Sequence, residues 1–276
     1  MVNSLRSLFL IISLFTILLM LSKSTSARLH PRRNNTSPSS SPPPSSSPSS
    51  SSSSLGDGNK KFCLSWRLGV EANNVVAWGT VPRECQKEVE SYMIDGQYDE
   101  DLDLVMQQIS TFLNSIPLSS DSLDAWVLDI DETCLSNLYY YKTKRFGCDP
   151  YDPVGFRAWA SKGGSPAISP VLQLFNKLLD KGFKVFLVSG RDQETLGQAT
   201  INNLHNQGFI GYQRLILRSV EYKGQSAVRY KSDIRQKLEK EGYRIWGNVG
   251  DQWSDIRGDS TGNRTFKLPN PMYFVP

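Results

Sequence analysis

Ala125-Trp126-Val127-Leu128-Asp129-Ile130-Asp131-Glu132-Thr133 is the stretch that decides the fold. An apolar run of strand length leads into two carboxylates set two residues apart. On an extended backbone Asp129 and Asp131 lie on one side, and where the strand ends the chain can turn both toward one centre. Like charges held that close repel unless a cation or a proton sits with them. An Asp-x-Asp-x-Thr pattern at a strand end therefore predicts a divalent metal and phosphoryl chemistry.

Downstream of this run, apolar strands and helices alternate. Ser169-Pro170 reads as a helix start, with Ser169 as N-cap and Pro170 in the first turn, and Gly182 as its stop. Lys184–Val188 reads as the second strand, Asp192–Gln207 as a helix closed by Gly208, and Arg214–Leu217 as the third strand. Lys231–Glu241 reads as a helix closed by Gly242, Arg244–Val249 as the fourth strand and Met272–Val275 as the fifth. Continuous apolar strands separated by helices predict an α/β fold, a mostly parallel sheet covered on both faces. Such sheets take ligands at the carboxyl ends of their strands. The polar groups cluster there: Asp129 and Asp131 after strand one, Ser189-Gly190-Arg191 after strand two, Gly250-Asp251 through Asp255 after strand four, and Lys231 opening the helix after strand three.

Each of these residues has a role in phosphoryl transfer, where charge develops on equatorial oxygens and must be offset. Asp129 is the expected nucleophile and Asp131 the expected acid and base. Ser189 would donate to a phosphate oxygen and Lys231 would place an ammonium beside phosphate and nucleophile. Thr133, Gly190 and Arg191 are further expected substrate contacts. Mg2+ prefers oxygen ligands in an octahedron; the Asp129 carboxylate, the Asp131 carbonyl and Asp251 are the expected ligands, with Asp255 bracing the shell.

In order, Asp129-x-Asp131-x-Thr133, Ser189, Lys231 and Gly250-Asp251-x-x-x-Asp255 resemble the four motifs of the haloacid dehalogenase (HAD) superfamily. Val188-Ser189-Gly190-Arg191, Asn248-Val249-Gly250-Asp251-Gln252-Trp253-Ser254-Asp255 and Lys267-Leu268-Pro269-Asn270-Pro271-Met272-Tyr273 are similar to its plant acid phosphatase and vegetative storage protein group. The likeness covers roughly Phe62 to Pro276. It implies a HAD-like Rossmannoid three-layer sandwich and a Mg2+-dependent acid phosphatase acting on small phosphomonoesters through an aspartyl phosphate. The alternative it implies is a storage or defence protein with vestigial activity; some storage members lack the nucleophilic aspartate that Asp129 supplies here. It further implies that 135–167, rich in aromatic residues, is a small helical cap, with Tyr139, Tyr140 and Tyr141 as candidates for substrate contact.

The ends of the chain set its route. Residues 1–27 combine a basic start, an apolar run from Leu8 to Leu21 and small residues up to Ala27, which is a secretory signal. That run is short for a membrane span, which needs ~20 residues, so no membrane association is expected after cleavage. Residues 28–54 are Ser/Pro-rich and cannot bury a core, so they read as disordered. Their Ser41-Pro42-Pro43-Pro44 is similar to modules of plant cell-wall proteins. Extracellular or cell-wall and vacuolar destinations stay open, as do cell-wall association through this segment and a homodimer. Residues 55–124 read as a helical lead-in, with helical spacing at Val81–Ile94 and Asp99–Leu113, and residues 125–276 as the core.

The net charge of +4 comes from the tail. Residues 1–54 hold Arg6, Lys23, Arg28, Arg32 and Arg33 and no acid, leaving 26 bases against 27 acids in the rest. The folded part has no basic excess for nucleic acid. Four cysteines allow three pairings; Cys63 with Cys85 is favoured, because both lie in the lead-in. Cys134 reads as a buried small hydrophobe, and with only His30 and His205 in the chain a His-based hydrolase is not expected. Asn34, Asn35 and Asn263 head glycosylation sequons.

Overall fold

The structure, a computed structural model, describes residues 52–276, with side chains from Gly58 onward. The signal sequence, nearly all of the Ser/Pro segment, and the Asn34 and Asn35 sequons lie outside the described residues. Among those described, no helix is long and apolar enough to cross a membrane.

Five strands form one sheet: β1 Asp124–Leu128, β2 Lys184–Asp192, β3 Arg214–Arg218, β4 Arg244–Gly250 and β5 Arg264–Lys267. Their order is β3-β2-β1-β4-β5, and every pairing is parallel. The chain walks outward from β1 to β3, then returns across β1 to lay down β4. That reversal opens the crevice beyond the ends of β1 and β4, where ligands bind in such sheets.

The sheet is sealed on both faces. On one face Trp126, Leu128, Val185, Leu187, Val249 and Phe266 pack under helices α3 (Gln97–Ser115) and α6 (Ser169–Asp180). Trp126 is fully buried, stacks on Phe266 at 6.0 Å and comes so close to Gly247 that a Cβ there would lie 2.2 Å from the indole. On the other face Ala125, Val127, Phe186 and Val188 meet Tyr230, Ile234 and Leu238 of α8 (Ala227–Lys240). Helix α7 (Gln193–Asn206) follows β2 directly and is capped by Asp192, whose carboxylate accepts from the Thr195 N–H at 2.8 Å.

A third cluster joins the lead-in to the insert. Cys63, Trp66 and Val70 of α1 (Ser52–Glu71) and Val89, Tyr92 and Met93 of α2 (Gln86–Ile94) pack with Tyr140, Tyr141, Phe146, Cys148 and Met272. The Cys63–Cys85 disulfide is present, while Cys134 and Cys148 are free and buried. The insert is helical, with α4 Leu138–Thr143 and α5 Pro153–Ala160. The described residues make one compact unit.

Several element assignments differ from the sequence reading. The fifth strand is Arg264–Lys267, not Met272–Val275; those four apolar residues form an irregular strap. Lys231 does not open its helix: α8 begins at Ala227, with the Ser226 hydroxyl accepting from the Arg229 N–H, and Lys231 sits in the second turn. Ser169 is the first helical residue of α6, and its cap position, Ile168, offers no side-chain acceptor. Helix α2 starts only at Gln86, after a 3-10 turn, because Pro82 holds the preceding chain extended. Helix α1 begins at Ser52, inside the expected Ser/Pro segment.

Candidate active site

The end of β1 delivers the first carboxylates. Asp129 is buried, and its N–H donates to the Val249 carbonyl on β4 at 2.9 Å. Glu132 then adopts φ +56°, a left-handed conformation unusual for a side-chain-bearing residue. That turn folds Asp131-Glu132-Thr133 back so that the Leu135 N–H reaches the Ile130 carbonyl at 2.8 Å.

Asp129 and Asp131 then enter two different environments. The Lys231 ammonium lies 2.5 Å from Asp129 Oδ1 and also donates to Asp255 Oδ1. Burial and the Asp255 charge push the Asp129 carboxyl well above its ordinary range, while Lys231 pulls the other way. Asp131 instead receives Arg191, through Nη2 to Oδ1 at 2.8 Å and Nε at 3.1 Å. Asn137 Nδ2 donates to the same Oδ1 at 2.7 Å. Burial opposes ionisation of Asp131, but Arg191 and Asn137 outweigh it and hold the carboxyl below its usual range. Ser189 is fully buried; its Oγ accepts from the Arg191 N–H at 3.1 Å and lies 3.4 Å from Asp131 Oδ2.

The loop after β4 supplies the other acids. Asp255 Oδ2 accepts from the Gln252 N–H at 2.9 Å, and a Cβ on Gly250 would sit 2.3 Å from that oxygen. Glycine at 250 is therefore what lets Asp255 fold back onto the strand end. Buried Arg235 and Asn248 grip the Asp255 carbonyl at 2.7 and 2.9 Å. Asp251 Oδ2 accepts from Gln252 Nε2 at 2.6 Å and Asn270 Nδ2 at 2.7 Å, whereas its Oδ1 is buried with no hydrogen-bond partner.

Asp129, Asp251 and Asp255 place one carboxylate oxygen each within 4.8 Å of one another. Three buried carboxylates face one ammonium, which leaves an excess of negative charge. Burial, followed by the Asp255 charge, pushes Asp251 up to about 8. The orphaned Asp251 Oδ1 and the all-oxygen donor set fit a hard divalent cation. The Asp131 carboxylate is not part of this cluster; it belongs to Arg191.

A cavity of about 450 Å³ opens over these groups, lined by Asp129, Asp131, Arg191, Lys231, Asp251 and Asp255 at its base. Gly190 also lines it, and so do Tyr141, Tyr151 and Phe156 of the insert and Tyr273 and Phe274 of the strap. Tyr141 stacks on Tyr273 at 4.7 Å. Of the other two tyrosines singled out in the sequence, Tyr140 is buried against Phe156 at 5.6 Å and Tyr139 is 57% exposed; neither lines the cavity. Thr133 and Ser189, expected as a substrate contact and a phosphate donor, are buried and do not line it, and the Thr133 hydroxyl has no partner. Asn263 is exposed just before β5.

Sequence reasoning missed three site residues. Glu132 accepts from the Asn137 N–H and the Tyr273 hydroxyl, and burial together with the Asp131 charge pushes it up to about 8. Asn137 and Asn270 hold Asp131 and Asp251. The local signals were that Asn137 follows the first motif closely and that Asn270 lies inside the Lys267–Tyr273 stretch likened to the plant group.

Residues 49–276 match the family described as HAD superfamily, subfamily IIIB (acid phosphatase). Acid phosphatase 1 of Solanum lycopersicum is 44% identical over 213 residues, 77% of this chain and 83% of that protein. Vegetative storage protein 1 of Arabidopsis thaliana is 38% identical over 216 residues, 78% of this chain and 79% of that one. In fold, the chain is similar to the class C acid phosphatase from Bacillus anthracis, with TM-score 0.56, 19% identity, and 78% and 86% of the two chains covered.

Proposed function

Because the chain belongs to the subfamily IIIB acid phosphatases of the HAD superfamily, we propose that it is a secreted, Mg2+-dependent enzyme that hydrolyses small phosphomonoesters through an aspartyl phosphate on Asp129. The observation that carries this reading is the Lys231 ammonium shared by Asp129 and Asp255 beside Asp251. It keeps a carboxylate oxygen available in a buried pocket where one ammonium offsets part of the negative charge of three acids.

In this reading the phosphoryl group lies over Asp129, its oxygens toward Lys231 and Gly190. Asp129, Asp251 and the Asp131 carbonyl, with Asp255 behind, would hold a divalent cation, which would supply positive charge to the phosphoryl oxygens. Asp129 attacks phosphorus as the ester P–O bond breaks, and Asp131 delivers a proton to the leaving oxygen. Water then attacks the aspartyl phosphate, Asp131 takes the water's proton, and the Asp129 carboxylate leaves.

Arg191 holds Asp131 ionised in the free site, so the proton for the first step enters with the substrate. A phosphomonoester loses its second proton near about pH 6, so at mildly acidic pH the monoanion carries a proton that Asp131 relays to the leaving oxygen. The alkaline limb of kcat/KM should then move with the second pKa of the ester; a limb that stays fixed across esters contradicts this source.

The secretory route rests on the 1–27 signal, the Cys63–Cys85 disulfide and the kinship with plant storage proteins. A reporter fused behind residues 1–27 should leave the cytosol, and retention there would refute the route. The enzyme itself is tested with purified protein and p-nitrophenyl phosphate at mildly acidic pH with Mg2+. Phosphate release that survives Asp129→Asn unchanged would refute the assignment.

A further inference from the structure

Asn137 is the first residue of the insert with a side chain turned to the reaction centre, and it is fully buried. It occupies the cap position of α4, where asparagine normally accepts from the helix amides. Here its side chain makes no such bond. Both ends of the amide are committed elsewhere. Oδ1 accepts from Trp159 Nε1 at 3.0 Å and from Ser165 Oγ at 2.9 Å. Nδ2 donates to Asp131 Oδ1 at 2.7 Å and to Glu132 Oε2 at 3.3 Å.

The orientation of that amide is not arbitrary. An indole N–H can only donate, so Trp159 obliges Asn137 to present its oxygen to α5 and its NH2 to Asp131. Ser165 is itself anchored to α7, its N–H and carbonyl pairing with the Asn203 amide at 3.0 and 2.7 Å. A continuous chain of donors and acceptors thus runs from the insert and α7 through one amide to the carboxylate read as acid and base.

From this geometry we infer that Asn137 is a positioning residue. It fixes the Asp131 carboxylate against the leaving oxygen, and Trp159 and Ser165 set its polarity, so that seating of the insert and readiness of the acid are one event. The inference rests on the reading of Asp131 as the group that protonates the leaving alcohol. Arg191 supplies charge to Asp131 from the core side; Asn137 supplies direction from the insert side. Losing Asn137 leaves the ion pair but frees the carboxylate to swing about it.

The test uses the whole protein with Mg2+ and two substrates, an alkyl phosphomonoester and 2,4-dinitrophenyl phosphate. An alkoxide needs its proton as it leaves, whereas a dinitrophenolate does not. Asn137→Ala should cut kcat/KM for the alkyl ester by about 100-fold and that for the dinitrophenyl ester by no more than about threefold, since proton delivery is worth 10²–10⁴. KM should hardly change, the loss falling in kcat. Trp159→Phe keeps the ring and removes only the indole donor, so it should show the same selective loss at about tenfold; it carries the test should Asn137→Ala fail to fold. Equal losses on the two esters in both variants, or none in Trp159→Phe, would overturn the inference. Asp131→Asn separates the two ideas. If it too is blind to the leaving group, the role given to Asp131 fails; if it discriminates while the Asn137 and Trp159 variants do not, only the positioning role fails.

Discussion

Lys231 Nζ lies 2.5 Å from Asp129 Oδ1, joining residues 102 apart in sequence at the base of the cavity. The same nitrogen donates to Asp255, and all three side chains are buried. One ammonium thereby compensates two carboxylates that would otherwise repel each other in a low-dielectric pocket.

Removing that ammonium should cost stability as well as activity. Breaking a buried pair by deleting one partner costs about 3–5 kcal/mol, so Lys231→Met should lower the melting temperature by roughly 10 °C in chelator. Added Mg2+ should recover much of the loss, because a cation compensates the same acids. A variant melting like the wild type in chelator would contradict the role of Lys231 as their counter-charge.

Metal dependence should report on Asn270. Its amide holds Asp251 Oδ2 at 2.7 Å, leaving Oδ1 free. Chelation should abolish turnover and Mg2+ restore it. Asn270→Ala should raise the half-saturating Mg2+ concentration by about 10–100-fold, as loss of a ligand's supporting hydrogen bond typically does. Unchanged Mg2+ titration curves would show that Asp251 needs no such support.

At the opposite end of the sheet, Asp124 carries an acid-sensitive contribution to stability. It is 2% exposed and accepts from Arg244 Nε at 2.9 Å, Trp246 Nε1 at 2.7 Å and the Ser119 N–H at 2.7 Å. Burial would raise its pKa, but Arg244 and these donors lower it below the ordinary value. A carboxyl depressed in the folded state stabilises fully above its unfolded pKa, about 4. That stability is lost as pH falls through the folded value. Asp124→Asn should therefore melt lower than wild type at pH 6, and the gap should narrow as pH falls below about 4. A gap constant with pH would exclude the linkage.

The Cys63–Cys85 bridge closes a loop with a sequence separation of 22. A loop of that size contributes about 3 kcal/mol. Cys63→Ala with Cys85→Ala should reduce the denaturant midpoint accordingly. It should also loosen α1, whose Glu71 carboxylate binds Lys267 and the Asn270 N–H, both at 2.8 Å. An unchanged midpoint would place that stability elsewhere.

The central strands were legible because parallel strands buried on both faces are continuous apolar runs, as Ala125–Leu128 and Val185–Val188 are. Edge strand β5 was not, because Arg-Thr-Phe-Lys offers the sheet a single large apolar side chain. The apolar Met272–Val275 drew the assignment instead, although its residues are spent on the insert and the cavity wall. The motif residues could be found in the sequence because their chemistry fixes their types. Their partners could not: Asn137, Trp159 and Arg235 act through contacts set by the tertiary fold, and even Asn270, inside a stretch likened to the plant group, carried no mark that it holds Asp251. The start of α8 is hidden because its cap, Ser226, lies more than a turn before the charged run that begins at Lys231.

The central claim is that phosphate passes through Asp129. The direct measurement is to quench the enzyme during turnover, reduce any acyl phosphate with borohydride and sequence the peptides by mass spectrometry. The account predicts homoserine at position 129, dependent on substrate and absent in Asp129→Asn. Robust phosphate release with position 129 unmodified, or with the label on another residue, would contradict it.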